Sequence, residues 1–189
     1  MLILARESRG LTQADLANAI GMGQGTLSKY ETGLLDAPSD FAEVAGQVLK
    51  YPDSFFFQSG RVYGFPPFHY RKRKKLSAKA LGKIVAGMNI RRLHIEKLCV
   101  SFQLRSNHFI PEIDSDEFQG RSKQRVSVDD IARSLRESWM LPSGPIENVV
   151  NLIEEKGGIV IPCDFGTDLL DAMSQRIDGL PVLFFTNIN

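Results

Sequence analysis

Two short amphipathic segments joined by a glycine-containing turn, within residues 12–33, constrain the fold of this chain more than any other feature. Thr12, followed three residues later by Asp15, is a capping-box pattern, which places the start of a helix at residue 12. Glycines in the segment 21–23 predict a turn, and a second helix is expected from Gln24 to about Thr32, ended by a further glycine. The apolar residues of the first helix form one stripe: Leu16, Ala17 and Ile20. The pattern predicts two short helices set at an angle to each other.

Helices are also predicted on both sides of this pair. The segment Leu2–Ser8 is apolar at helical spacing and runs into Gly10, a natural helix stop. Pro38 and Ser39 begin another helix. We expect its buried side to contain Phe41, Val44, Ala45 and Val48. Residues 1–58 are therefore predicted to form an all-helical domain.

Polar side chains at the start of the predicted second helix of the pair have the chemistry that reads base pairs. A glutamine can make two hydrogen bonds to adenine, a threonine offers a methyl and a hydroxyl group, and a lysine reaches guanine or phosphate. The candidate DNA-contacting residues of this helix are Gln24, Gly25, Thr26, Ser28 and Lys29. Leu27 and Tyr30 are expected to hold it from the other side. Thr12 and Gln13, where the preceding helix begins, are predicted to contact the phosphate backbone.

This stretch resembles the Cro/repressor-type (XRE) helix-turn-helix over roughly residues 2–58. The resemblance is carried by the strings LTQADLA, G…TLSKYETG and PSDF. It implies a lambda-repressor-like bundle that binds double-stranded DNA, with Gln13 on the backbone and with bases faced by Gln24, Gly25, Ser28 and Lys29. It also implies a fold-holding ion pair between Arg6 and Glu31.

Charge is distributed unevenly along the chain. Residues 1–60 contain four basic residues (Lys and Arg) and seven acidic residues (Asp and Glu). Residues 61–105 contain twelve basic residues and one acidic residue, and residues 106–189 contain seven basic and fourteen acidic residues. The acidic first segment slightly favours an alternative in which its helices make only protein contacts, because DNA binding depends on neutralising phosphates. Residues 59–76 are predicted to be a basic linker. Its run Arg71–Lys75 is interpreted first as solvated and second as an auxiliary DNA contact.

Residues 77–189 are predicted to form a region of mixed helix and sheet. Ser77 is expected to cap a long helix from about Ala78 to Leu104, and Ser127 with Asp130 repeats the capping box. The apolar seam of the long helix is expected to contain Leu81, Ile84, Met88, Ile95, Leu98 and Phe102. Strands are predicted around Ile159–Ile161, Leu170–Arg176 and Val182–Phe185.

From about residue 55 onward, the order of segments resembles the ImmA/IrrE peptidase family. The strings are YPDSFFF, HYRKRKKL, DDIARSLRESWMLPSGPIENVVNLIEEKGGIVI and DAMSQRIDGLPVLFFTN. The resemblance implies a zincin-like α+β fold and, in intact members, a zinc site on an H-E-x-x-H helix. That motif is absent from this sequence, whose three histidines are His69, His94 and His108. We therefore expect a domain truncated before its catalytic motif, with no catalytic residue, no metal ligand and no cofactor; zinc is expected only in an intact parent.

An incomplete sheet predicts an exposed apolar face at Val182–Phe185, which a protein partner or a second copy of the chain would cover. Two cysteines, no signal-peptide pattern and no long apolar run predict a cytoplasmic protein with no membrane span. The sequence thus predicts a mainly α-helical, homodimeric, DNA-binding transcriptional regulator. Two alternatives remain open: a fragment of a zinc metallopeptidase that cleaves a repressor, and an antitoxin-like protein-interaction module.

Overall fold

The computed structural model describes residues 1–63, 76–104, 110–111, 127–176 and 181–188. Within these ranges the chain is mainly helical, with one small sheet. The helices are α1 (Leu2–Ser8), α2 (Gln13–Ala19), α3 (Gln24–Thr32), α4 (Phe41–Leu49), α5 (Asp53–Phe56), α6 (Ala78–Ser101), α7 (Val128–Ser138) and α8 (Val149–Glu155). The strands are β1 (Gly158–Cys163), β2 (Ala172–Gln175) and β3 (Val182–Asn187). Among the described helices, none has both the length and the apolar character needed to cross a membrane.

Local chemistry sets the helix ends where the sequence predicts them. The Thr12–Asp15 capping box at α2 and the Ser127–Asp130 box at α7 are both confirmed, and the Ser77 side chain caps α6. Gly33 ends α3 in the left-handed conformation (φ 70°), which a glycine adopts without strain. The predicted basic run Arg71–Lys75 lies outside the described residues.

The first core is built where α1 to α5 pack together. Its buried residues in these helices are Leu4, Ala5, Leu16, Ala17, Leu27, Ala45, Leu49 and Phe55. The prediction for α4 was partly wrong, because Val44 is exposed while Ala42, Gly46 and Leu49 are buried beside Ala45. The reason is a close approach of the following chain. A Cβ atom placed on Gly46 would lie 2.7 Å from the carbonyl oxygen of Tyr51, so α4 must turn its small residues toward this segment.

Helix α6 is buried on two faces, whereas the sequence predicted one seam. Ala86, Ile90 and Leu93 belong to the first core, and Ile84 and Met88 belong to a second core. At 3.6 residues per turn these two sets lie on roughly opposite faces of the helix. The predicted continuation of the seam is wrong at its end, since Leu98 and Phe102 are exposed. Helix α6, placed by the sequence prediction in the region 77–189, thus contributes to both cores.

Two buried polar side chains attach α6 to the chain that follows α5. The Asn89 side-chain amide donates to the Tyr63 carbonyl at 2.9 Å and its Oδ1 accepts from the Tyr63 backbone N–H at 3.1 Å. Arg92 donates to the carbonyl of Arg61 and to the carboxylate of Glu96. These bonds offset much of the cost of burying Asn89 and Arg92, and the bonds to Tyr63 and Arg61 tie α6 to the chain after α5.

The second core lies between α6 and a three-stranded sheet of order β1-β3-β2. β3 pairs parallel with β1, with Gly158 opposite Val182, and antiparallel with β2, with Ala172 opposite Thr186. The predicted exposed face on β3 was wrong, because Leu183 and Phe185 are 1% and 0% exposed and Val182 is also buried. Leu183 and Phe185 are buried because they pack in one cluster with Ile84 and Met88 on the second face of α6. Most of the apolar surface predicted at Val182–Phe185 is therefore used within the chain, and Phe184 is half-buried.

Candidate nucleic-acid interface

The α2–turn–α3 unit is held together by its own backbone. The Met22 N–H donates to the Ala17 carbonyl at 2.9 Å, which closes the turn after α2. Gly21 takes a positive φ of 72° in this turn, a conformation that strains residues with a side chain. Gly23 is the N-cap of α3, and its carbonyl accepts from Thr26 and Leu27. The turn therefore fixes the direction in which α3 leaves α2.

One side of α3 is anchored in the first core. Leu27 is fully buried, and the Tyr30 ring contacts Phe41 edge to face at a centroid distance of 5.1 Å. Both anchors were predicted from the spacing of the apolar residues. With this side buried, α3 has one face left for solvent.

A buried ion pair anchors the end of α3 to α1. Arg6 Nε lies 2.5 Å from Glu31 Oε1 and Arg6 Nη2 lies 3.0 Å from Glu31 Oε2, which is the two-pronged geometry typical of strong arginine–carboxylate pairs. The Glu31 side chain is only 1% exposed. This is the contact that the family resemblance implies, and its geometry is that of a structural pair.

The opposite edge of α3 faces solvent. Gln24, Gly25 and Lys29 are exposed, while Thr26 and Ser28 are half-buried. A Cβ placed on Gly25 would meet nothing within 4 Å, so the helix surface is open at that point. Within the described residues, the side chains of Gln24, Ser28 and Lys29 make no hydrogen bond to the rest of the chain. The five predicted base-reading residues are thus brought to one helix, and its outer edge is free to meet a ligand.

Thr12 and Gln13 are partly engaged inside the molecule. Gln13 Nε2 donates to Glu31 Oε2 at 2.8 Å, and Thr12 Oγ1 accepts from the Asp15 backbone N–H at 3.1 Å. A glutamine amide has two N–H donors and a carbonyl oxygen, so one bond to Glu31 leaves Gln13 with donor capacity. The predicted role of both residues at the DNA backbone stays a prediction.

The capping box also sets the electrostatics at the start of α2. The Thr12 backbone N–H donates to the Asp15 carboxylate at 2.8 Å, and this bond holds the pKa of Asp15 below its usual range. The Thr12 side chain and the nearby positive charge of Lys79 act in the same direction. Asp15 is therefore a carboxylate at neutral pH.

Two residues near this site were not singled out in the sequence. Lys79 and Lys83, in the first turns of α6, line a groove together with Thr12, Gln13 and Gln24. Their spacing of four residues was a usable signal, because it places both lysines on one helix face. Only the docking of α6 against α1 brings that face to the start of α2.

The comparison with protein families identifies the first part of the chain. Residues 2–41 match the helix-turn-helix family model. The match runs from α1 to the first residue of α4, so it contains α2, the turn and α3. This helix-turn-helix supports a DNA-binding regulator. The family match gives no support to the ImmA/IrrE resemblance. Searches of curated proteins and of solved structures found no match.

Proposed function

We propose that this chain is a sequence-specific, DNA-binding transcriptional regulator of the XRE type that inserts α3 into the major groove. The observation that carries the proposal is the division of α3 into a buried anchor side and an open polar edge. A recognition helix needs both, because base-edge contacts require side chains that project from a rigidly held helix. The match of residues 2–41 to the helix-turn-helix family supports the same reading.

Each side chain on the open edge has a defined chemical role in this proposal. Gln24 offers paired hydrogen bonds to adenine, and Thr26 and Ser28 offer hydroxyl groups to base edges or phosphates. Lys29 donates to guanine or to a phosphate, and Gly25 lets the helix backbone come close to the DNA. Thr12 and Gln13 contact the sugar-phosphate backbone and set the register of α3 along the duplex.

The finer features of this regulator are part of the proposal. One short helix reads few base pairs, so we propose that the protein acts as a homodimer on an inverted repeat, in the cytoplasm. We propose no enzymatic activity for this chain, because its sequence has no H-E-x-x-H motif that would bind zinc. From the ImmA/IrrE resemblance we propose only that the region after residue 77 derives from a domain of that kind.

A selection experiment tests the proposal. Duplexes that bind the full chain are enriched from a random library, and their affinity is measured with wild type and with Lys29→Ala. We expect the variant to bind the enriched duplex about 10 to 100 times more weakly, since a good base contact contributes ~1–3 kcal/mol. Lys97→Ala, which removes the same charge from the far end of α6, is expected to bind as wild type does.

Two results would contradict the proposal. The first is a selection that enriches no sequence, with binding equal for enriched and random duplexes. The second is a Lys29→Ala variant that binds the enriched duplex as tightly as wild type and selects the same sequence. Far-ultraviolet circular dichroism of each variant, compared with wild type, ensures that a loss of binding is not a loss of fold.

A further inference from the structure

The start of α2 and the start of α6 face each other across a groove of about 450 Å³. Thr12 and Gln13 line it on one side, together with Gln24 at the start of α3. Lys79 and Lys83 line it on the other side. The groove therefore joins residues of the proposed DNA interface to a helix that lies outside the segment matched by the helix-turn-helix family.

The first sixty residues contain little free positive charge for a DNA-binding unit. Of their four basic residues, Arg6 is buried in its pair with Glu31. Arg9 donates to the carbonyls of Leu49 and Lys50 and lies over the ring of Tyr51. Lys29 and Lys50 remain as the other two cations. A phosphate-binding surface needs more than this, because neutralised phosphates supply a large share of the affinity for DNA.

Helix α6 supplies two further cations at a fixed position. A Cβ placed on Gly10 would lie 3.7 Å from Cδ of Lys83 and 3.9 Å from Cε of Lys79, so both side chains extend along the turn before α2. The ammonium group of Lys83 lies near Gly166 as well. Because Ala86 and Ile90 of α6 pack in the same core as Leu16 of α2, the backbone of both lysines is held near the start of α2.

Two carboxylates lie close to the lysines and would repel DNA without them. Glu7 lines the groove, with one oxygen 3.7 Å from Arg6, and Asp15 is a carboxylate held by the N–H of Thr12. Lys79 acts on Asp15 electrostatically. The two lysine charges offset these two acids at the point where Thr12 and Gln13 are proposed to meet the backbone.

We propose that Lys79 and Lys83 bind phosphates of the DNA strand that passes the start of α2. The DNA interface is then composite: α3 reads bases, while the first turns of α6 supply backbone contacts. This inference rests on the proposed function, since it places DNA against the α2–α3 unit. It further assigns to the region after residue 77 a direct part in DNA binding.

The salt dependence of binding tests the inference. Affinities of the full chain and of Lys79→Ala/Lys83→Ala are measured across a salt series. The probes are the duplex enriched in the selection and a mixed-sequence duplex of equal length. Loss of two phosphate contacts is expected to make the slope of log K against log salt shallower by about 2 on both probes. The preference for the enriched duplex is expected to stay as in wild type, because phosphate contacts carry no sequence information.

A second double variant on the same helix is the control. Arg91→Ala/Lys97→Ala removes the same charge from exposed positions of α6, and Lys97 lies about 27 Å along the helix from Lys79 at 1.5 Å per residue. Its slope is expected to change by less than about 0.5. If the salt slope changes equally in the two double variants, the effect depends on net charge alone and the inference is overturned.

The remaining outcomes separate the inference from the proposed function. If wild type prefers the enriched duplex and Lys79→Ala/Lys83→Ala keeps the wild-type slope or binds more tightly, the inference is overturned and the proposed function stands. If wild type binds both duplexes equally, the proposed sequence-specific binding is wrong. The salt slope of Lys79→Ala/Lys83→Ala then still tests whether the two lysines bind phosphates. If wild type binds neither duplex, both are overturned.

Discussion

The two cores that meet on α6 differ in how their members are distributed along the chain. The first core collects most of its residues from five short helices between Leu4 and Phe55, each defined by a nearby cap or stop. The second core joins Ile84 and Met88 of α6 to strands that end with Phe185. Contacts between neighbours leave a record in local sequence patterns, whereas contacts between distant segments do not. Local patterns therefore predict most helices of the first core, whereas the packing of α6 on the sheet depends on segments far apart in the chain.

Because the two cores share α6, we expect them to unfold together. A side-chain truncation in the second core tests this expectation. Phe185→Ala removes a fully buried ring and is expected to lower the free energy of unfolding by about 3–5 kcal/mol. Because α6 belongs to both cores, we expect circular dichroism of the helices and hydrogen exchange of the paired strands β1 and β3, both followed across urea concentration, to report the same shifted transition.

The matched control is Phe57→Ala, which shortens a phenylalanine that is 76% exposed. Its unfolding free energy is expected to stay within about 0.5 kcal/mol of wild type. Two separate transitions in the Phe185→Ala variant, with the helical signal lost at the same urea concentration as in wild type, would contradict the coupling between the cores.

The regions differ again in how their ion pairs are buried. Arg6→Met leaves the Glu31 carboxylate buried, with Gln13 as its one remaining side-chain donor among the described residues, and is expected to cost about 3 kcal/mol of unfolding free energy. Arg133→Met in the second region removes a pair with Asp130 whose partners are 68% and 52% exposed, and is expected to cost less than about 0.5 kcal/mol. Urea unfolding of both variants measures the difference.

The double variant Arg6→Met/Glu31→Leu sharpens this test. Removing both charges takes away the unpaired carboxylate, so most of the lost stability is expected to return. Equal stabilities for Arg6→Met and Arg133→Met would mean that burial does not distinguish the two pairs.

The smallest effects are expected at the two capping boxes. Thr12→Ala removes the cap of α2, whose residues Leu16 and Ala17 are in the first core, and is expected to lower global stability by about 1 kcal/mol. Ser127→Ala removes the same cap from α7, which has no buried residue, so we expect local fraying with a global change of only a few tenths of a kcal/mol. Hydrogen exchange of α7 and urea unfolding separate the two effects.

Lowering the pH gives a second test of the comparison between wild type and Thr12→Ala. The pKa of Asp15 is lowered in the folded chain by its bond to Thr12, so the stability that this carboxylate adds is present above the ordinary aspartate pKa of about 3.9. It is lost as the pH falls through the lowered value. Thr12→Ala keeps the backbone N–H and removes only the hydroxyl's share of this lowering, so the stability difference between wild type and the variant is expected to shrink only partly below about pH 4. A difference that grows on acidification would contradict the capping account.

Local rules predicted α1 to α4 of the first region and the polar edge of α3, but not the short helix α5. Capping boxes, left-handed glycines and apolar spacing each depend on residues within one or two turns, so the sequence carried enough information. The errors arose at Val44, at Leu98 and Phe102, and at the supposedly exposed strand Val182–Phe185. In each case a residue's burial depended on which distant segment packed against it.

The sequence by itself determined where helices begin and end, which edge of α3 is polar, and that Arg6 and Glu31 are of opposite charge. Only the tertiary structure decided that α6 is buried on two faces, that it covers β3, and that it carries Lys79 and Lys83 to the start of α2. The physical reason is that helix caps and apolar stripes depend on interactions between residues that are close together in the sequence. The docking of a helix is decided by whichever apolar surfaces fit together across the folded molecule.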